Sequence, residues 1–151
     1  MKQKFIDLYM DWAQRCAKLS YARRLQVGAV IVKDDSVISY GYNGMPAGWD
    51  NDCEDEQLQT YAGFEGAISS TKLTTKPECL HAESNAIAKL AKSSNSGSGA
   101  ALFVTHAPCM DCAKLIYQSG ISSVYYGENY RDDAGIKFLK KSGVTIVRIS
   151  S

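Results

Sequence analysis

Two short stretches of the chain carry side chains that together could do metal chemistry. The stretch PECLHAESNAI contains His81, one of the two histidines of the sequence, and the stretch THAPCMDCAKLI contains Cys109 and Cys112. One imidazole and two thiolates are ligands that zinc prefers, and a zinc ion with only three protein ligands keeps a coordination position for water. The set therefore predicts a catalytic zinc site with one Zn²⁺ per chain.

Glu83 follows His81 by two residues, which is too close for it to bind the same ion in ordinary helical geometry. It could instead face the open coordination position, take a proton from water and deliver that proton elsewhere. Each half alone is less specific, because a lone C-x-x-C is often a structural zinc half-site or a redox pair and a lone H-x-E is often only a helix start. The combination of both halves predicts catalysis by Glu83.

Helices are predicted to begin at both halves of this set. One helix is expected over about 81–92, before the polar run KSSNSGSG, and another over 109–120, closed by a glycine. Both N-termini could face one crevice, where their partial positive charge favours thiolates.

The remaining patterns predict an α/β fold. QVGAVIV (26–32) and VISYGYN (37–43) indicate a hairpin, further strands are expected at 100–106, 122–128 and 144–149, and a helix is expected at 132–143. The long segment 44–76 is expected to contain a short helix within 54–66. Residues 3–19 predict a first helix whose apolar side chains form one buried face: Phe5, Leu8, Tyr9, Trp12, Cys16 and Leu19. We expect one domain, 1–151, with a mixed five-stranded sheet covered by helices on both faces in three α/β/α layers.

Composition narrows the class of partner. The 17 basic and 16 acidic residues give a net charge of +1, which provides no electrostatic reason to expect long nucleic acid as a partner. No apolar stretch is long enough to span a membrane, and the charged N-terminal segment lacks the apolar run of a signal peptide. A cytoplasmic protein is therefore expected, in which the 5 cysteines stay reduced.

The conjunction of HAE with PCxxC is the known signature of zinc-dependent base deaminases. From about residue 20 to 147 the chain resembles the cytidine deaminase superfamily and, more narrowly, is similar to the deoxycytidylate (dCMP) deaminases. The motifs that carry the resemblance are QVGAVIV, GYNGMPAG, HAESNAI and PCMDCAKLI. Free-cytidine deaminases usually have cysteine where His81 stands, which disfavours that branch.

The resemblance implies that dCMP and water give dUMP and ammonia, supplying dUMP for dTTP synthesis. It implies zinc on His81, Cys109 and Cys112, with Glu83 protonating the ring nitrogen N3 and then the departing amine. The backbone amide of Ala82 is a candidate donor to the pyrimidine carbonyl. In regulated relatives the GYNG region is associated with a triphosphate effector near a subunit interface, with dCTP as activator, dTTP as inhibitor and Mg²⁺ on the phosphates. The resemblance also implies a homo-oligomer, typically a hexamer, and the implied effector residues are Gly41, Tyr42, Asn43 and Gly44.

Substrate contacts are less specific in the sequence. Asn43 suits a sugar hydroxyl or a base edge, although Asn-Gly is also a strong turn former. Arg23, Arg24 and Arg131 are candidates for holding the 5′-phosphate together with Tyr130, although arginine is most often simply solvated. The acidic run 50–56 is expected to be a solvated loop, with magnesium binding beside an effector as a sharper hypothesis.

Three alternatives stay open at this point. A nucleic-acid base deaminase, such as a tRNA adenosine deaminase, shares HAE and PCxxC, but it should show a basic surface. A zinc-stabilised binding domain without activity would leave Glu83 and the vacant ligand position unexplained. Deamination of dCTP as well as dCMP stays within the same class.

Overall fold

The computed structural model describes residues 1–63 and 66–149. Along this part of the chain the elements are α1 (Gln3–Ala17), β1 (Gly28–Lys33), β2 (Ser36–Tyr42), β3 (Glu54–Gly63), β4 (Gly66–Thr75), α2 (Ala82–Ala91), β5 (Ala101–His106), α3 (Met110–Gln118), β6 (Ser123–Glu128), α4 (Ala134–Lys141) and β7 (Thr145–Arg148). No helix within these described residues combines the length and apolarity needed to cross a membrane.

Five strands form one mixed sheet in the order β2-β1-β5-β6-β7. β1 pairs antiparallel with both β2 and β5, whereas β5, β6 and β7 run parallel. The parallel strands are joined through α3 and α4, as crossover connections require. The predicted mixed five-stranded sheet is confirmed.

Side chains of β1 and β5 alternate between two separate cores, since successive strand residues point to opposite faces. Val30 and Phe103 pack with the apolar face of α1. Ile31 and Leu102 pack on the opposite face of the sheet with residues of α2, α3 and α4. Helices therefore cover both faces, and the three-layer prediction is confirmed.

The buried face of α1 differs from the predicted one. Tyr9 and Cys16 are buried as expected, but Leu8, Trp12 and Leu19 are 51%, 47% and 53% exposed. The helix instead buries the small residues Ala13 and Ala17 because β1 passes very close to it: a Cβ at Gly28 would lie 2.0 Å from the carbonyl oxygen of Ala13. The close contact between the backbones of α1 and β1, rather than the size of the apolar side chains, therefore determines which face of α1 is buried.

The prediction of a short helix within 54–66 is wrong for the residues that the structure describes. β3 and β4 form a regular antiparallel hairpin, paired from Glu54↔Thr75 to Gly63↔Gly66. Phe64 and Glu65, which belonged to that predicted segment, lie outside the described residues. The β-branched residues of β4 favour a strand. The backbone of β3 hydrogen-bonds to β4, which begins about ten residues after the start of β3, and a pattern read over neighbouring residues does not show this partner.

Candidate active site

The two predicted halves of the metal site meet at the N-termini of α2 and α3. His81 is the N-cap residue of α2, Cys109 is the N-cap residue of α3, and Cys112 lies in the first turn of α3. Their donor atoms lie within 4.8 Å of one another, and this is the group of metal-ligating side chains found among the described residues. Cys53 and Cys79 lie outside this group, and both of their thiols are buried.

The donor geometry fits a tetrahedral zinc ion. Nδ1 of His81 lies 3.3 Å from Sγ of Cys112 and 3.6 Å from Sγ of Cys109. Ligand bonds of tetrahedral zinc separate neighbouring nitrogen and sulfur ligands by roughly 3.5 Å. One nitrogen and two sulfur atoms at these distances leave one corner of the tetrahedron without a protein ligand from this group.

The two thiols have opposite pKa shifts. A hydrogen bond from Cys112 stabilises the thiolate of Cys109 and lowers its pKa to about 4. The same hydrogen bond, followed by burial, raises the pKa of Cys112, which therefore keeps its proton. The hydrogen bond to Cys109 also raises the pKa of His81. Polar attraction among these groups is what a metal cation would replace.

Glu83 lies in the first turn of α2 and is 5% exposed. Burial raises the pKa of its carboxyl group from 4.5 to about 7, against a lowering influence from its own backbone amide and from His81. A carboxyl group with a pKa near neutrality can both accept and donate a proton at physiological pH. An interaction with the Cys112 thiol also lowers the pKa of this carboxyl group, which lies beside the metal-ligating side chains.

A cleft of about 590 Å³ opens onto this group. His81, Glu83 and Cys109 lie along its wall, as does the backbone start of α2 at Ala82. Three of the predicted phosphate-binding residues also line it, namely Arg24, Tyr130 and Arg131. The Arg131 guanidinium lies 5.6 Å from the ring centroid of Tyr130, and Arg24 Nη1 lies 3.4 Å from Thr75 Oγ1.

Arg23 is placed differently from its neighbour. Its guanidinium hydrogen-bonds to Asp52 and Glu56, and Arg23 is not among the residues that line the cleft within the described part of the chain. These two hydrogen bonds raise the pKa of Arg23. The prediction that Arg23 contacts the phosphate therefore has no support from its position, because its charge is already paired.

The side-chain amide of Asn43 joins two chain segments at the edge of the cleft. Its Oδ1 accepts a hydrogen bond from Val27 N at 2.9 Å, and its Nδ2 donates to Leu25 O at 2.8 Å. Asn43 lines the cleft, but this pairing uses much of its hydrogen-bonding capacity.

The rest of the GYNG stretch is attached to the start of α2. A Cβ at Gly41 would lie 2.3 Å from Ala82 O, Tyr42 O accepts a hydrogen bond from Asn85, and Gly44 forms a two-way backbone bridge with Leu80. These contacts give each residue a packing role, and its predicted role in effector binding stays a prediction.

One group of cleft residues escaped the sequence analysis. Residues 72–76, at the end of β4 and directly after it, line the cleft, because the hairpin returns to it from a distance that local patterns do not reveal. His106 also lines it and lies with Nδ1 2.9 Å from Thr105 Oγ1, while burial lowers the pKa of this imidazole. Its position at the end of a buried strand, three residues before Cys109, indicates a residue near the substrate that is not a metal ligand.

Comparison with known proteins agrees with this geometry. The family described as "Cytidine and deoxycytidylate deaminase zinc-binding region" matches residues 3–128. The chain therefore belongs to the cytidine and deoxycytidylate deaminase family.

Individual relatives of the chain include deoxycytidylate deaminases. The dCMP deaminase of cyanophage S-TIM5, solved in complex with dCMP and dUMP, has a TM-score of 0.85 and 39% identity over 99% of both chains. ComE operon protein 2 of Bacillus subtilis is 36% identical over 93% of this chain and 69% of that protein. The deoxycytidylate deaminase of Saccharomyces cerevisiae is 33% identical over 99% of this chain. The chain spans 46% of that yeast protein.

Proposed function

We propose that the chain, as a single domain over residues 1–151, catalyses the zinc-dependent hydrolytic deamination of dCMP to dUMP and ammonia. The observation that carries the proposal is the His81, Cys109 and Cys112 cluster with the buried carboxyl group of Glu83 beside it, on one wall of a nucleotide-sized cleft. The similarity to a phage dCMP deaminase that was crystallised with dCMP and dUMP supports dCMP as the substrate.

His81, Cys109 and Cys112 would hold the zinc ion. When bound, zinc supplies a Lewis acid that lowers the pKa of a water molecule towards neutrality. Binding of the ion would displace the proton of Cys112, and the partial positive charge at the N-termini of α2 and α3 would help to stabilise both cysteines as thiolates.

Glu83 is proposed to move the protons. Its carboxylate accepts a proton from the attacking water and gives it to N3 of cytosine, while the water oxygen forms a bond to C4. A second proton passes from that oxygen through Glu83 to the exocyclic nitrogen, the C4–N bond breaks, and ammonia leaves. The remaining oxygen becomes the C4 carbonyl of uracil. Protonation of N3 removes the negative charge that the attack would otherwise build on the ring.

Binding of the nucleotide is proposed to use both ends of the cleft. The backbone N–H of Ala82, at the start of α2, would donate to the pyrimidine carbonyl. Arg24, Arg131 and Tyr130 would bind the 5′-phosphate, and a guanidinium pair suits a phosphate because its donors are bidentate. Asn43 would contribute its remaining hydrogen-bonding capacity.

Regulation and assembly are part of the same proposal. dCTP would activate and dTTP would inhibit by binding at Gly41, Tyr42, Asn43 and Gly44, with Mg²⁺ on the phosphates, in a homo-oligomer that we expect to be a hexamer. The enzyme would supply dUMP for dTTP synthesis. Steady-state turnover of dCMP with each effector, with and without Mg²⁺, tests the regulatory part, and an unchanged rate in all conditions would contradict it.

The substrate is tested by ammonia release from dCMP, dCTP, cytidine and a tRNA anticodon stem under identical conditions. The proposal predicts the highest kcat/KM with dCMP. Turnover of dCTP at a comparable rate would widen the substrate range. Turnover of the tRNA stem alone would identify a nucleic-acid base deaminase, and absence of ammonia from every substrate would favour a binding domain.

A further inference from the structure

Glu54 is a buried acidic residue that lies outside the metal site. It opens β3 and is 2% exposed as a residue, although it belongs to the acidic run 50–56 that the sequence suggested would be solvated. A buried carboxylate is costly unless hydrogen bonds satisfy its oxygens. Its partners therefore indicate why an acid occupies this position.

The carboxylate of Glu54 receives the backbone amides of two consecutive arginines. Arg23 N donates to both oxygens, at 3.2 and 3.0 Å, and Arg24 N donates to Oε2 at 3.0 Å. Arg23 Nε approaches Oε1 at 3.7 Å. Charge-assisted bonds to backbone N–H groups are stronger than neutral ones, so Glu54 fixes the backbone of both residues.

The two arginine side chains diverge from this fixed backbone. Arg23 pairs with Asp52 and Glu56, which are both about half exposed. Arg24 lines the cleft instead. Among the described residues, no acid of the run 50–56 lines the cleft, so these acids do not oppose an anion there.

One cross-strand pair of the hairpin contacts both the backbone N–H and the guanidinium of Arg24. Glu54 and Thr75 are cross-strand partners in β3 and β4. Glu54 accepts the backbone N–H of Arg24, and Thr75 Oγ1 lies 3.4 Å from its Nη1. The base of the hairpin therefore determines where the cation of Arg24 lies in the cleft.

We propose that Glu54 is a positioning residue that, together with Thr75, aims Arg24 at the phosphate of the bound nucleotide. The inference rests on the proposed function, because it takes Arg24 as a phosphate ligand. It assigns the acidic run a role in binding, while Arg23 and Lys76 pair with exposed acids of that run. A residue acting this way should affect KM for a phosphorylated substrate far more than kcat.

The test compares Glu54→Gln with Glu56→Gln. Both changes remove one negative charge from β3, but Glu56 contacts only the side chain of Arg23 in the bonds described above. Loss of a charge-assisted hydrogen bond should raise KM for dCMP in the Glu54→Gln protein by about tenfold, with kcat within about twofold. The Glu56→Gln protein should keep KM within about twofold of the wild type.

A double-mutant cycle separates positioning from general structural support. In an Arg24→Ala background, Glu54→Gln should cause no further rise in KM, because the residue it positions is absent. An unchanged KM in folded Glu54→Gln protein, an equal rise in Glu56→Gln, or a full additional rise in the Arg24→Ala background would each overturn the proposal.

Burial of Glu54 means that the glutamine variant could fail to fold, so Glu54→Asp is the second variant. It keeps the charge but withdraws the carboxylate by one methylene, and it should raise KM in the same direction by a smaller factor. Wild-type KM in a folded Glu54→Asp protein would overturn the proposal when the glutamine variant is unfolded.

Failure of the proposed function is recognised separately. If the wild-type protein does not turn over dCMP, binding of inorganic phosphate followed by ³¹P NMR decides the role of Glu54. Weaker phosphate binding by Glu54→Gln and Arg24→Ala, but not by Glu56→Gln, supports the positioning role. Equal binding by all of these proteins overturns it.

Discussion

Replacing Glu83 with glutamine tests the proton-transfer role without changing the shape of the side chain. General acid–base catalysis contributes about 10²–10⁴-fold, so we expect kcat for dCMP to fall by about 10³-fold, or roughly 4 kcal/mol of barrier. KM should change little because the nucleotide contacts remain. Zinc content should also be unchanged, because Glu83 is not one of the clustered metal ligands.

The same substitution should change stability in a defined direction. Burial raises the pKa of Glu83 from 4.5 to about 7, so folding favours the protonated carboxyl group. That stabilisation is fully present below pH 4.5 and is lost as the pH rises through 7. In zinc-free protein, the free energy of unfolding of Glu83→Gln minus that of the wild type should therefore be roughly 3 kcal/mol larger at pH 8 than at low pH.

Two measurements check this prediction. Ammonia release from dCMP gives kcat and KM, and urea unfolding of the chelator-treated proteins at pH 5 and pH 8 gives the free energies of unfolding. Wild-type kcat in Glu83→Gln would refute the catalytic role. A stability difference that does not vary with pH would refute the assigned environment of the carboxyl group.

Three further predictions follow from the metal site and its support. In zinc-free protein at pH 7, iodoacetamide should modify Cys109 before Cys79, because the hydrogen bond from Cys112 lowers the pKa of Cys109 to about 4 whereas burial raises that of Cys79 to about 11. Bound zinc should protect Cys109, as peptide mass spectrometry would show. Gly135→Ala should weaken zinc binding by about 10–100-fold, since its Cβ would lie 2.2 Å from Pro108 O and displace the turn before α3. Removal of zinc with a chelator should abolish deamination, and added zinc should restore it.

Controls for these predictions use the same assays. Gly44→Ala places a Cβ where nothing lies within 4 Å and should leave zinc affinity unchanged. Earlier labelling of Cys79 than of Cys109 would contradict the assigned thiol environments. Full activity in protein shown to contain no metal would contradict the zinc requirement.

Local sequence patterns predicted the elements that carry the metal ligands. The run HAESNAIAKL has helical spacing and begins at a charged turn, and α2 starts within one residue of the expected position. The glycine after α3 and the lysines at the end of α4 similarly mark where those helices end. These features act within a few residues of each other, so the sequence displays them directly.

The hairpin and the two arginines could not be predicted in the same way. β3 is stabilised by pairing with β4, and apolar and polar residues do not alternate clearly enough in either strand to predict this pairing. Glu54 is buried because it receives amides from residues about thirty positions earlier, which no neighbouring residue indicates. Arg23 and Arg24 are adjacent and chemically identical. Only the long-range contact with Glu54 distinguishes them, because it fixes the backbone from which the Arg23 side chain reaches the acidic run and the Arg24 side chain reaches the cleft.

X-ray absorption at the zinc edge tests the central claim most directly. The account predicts one zinc ion per chain with two sulfur ligands at about 2.3 Å and two nitrogen or oxygen ligands at about 2.0 Å, of which one is exchangeable solvent. A fourth ligand from the protein, such as a third sulfur, would leave no position for water beside Glu83 and would contradict the proposed catalysis.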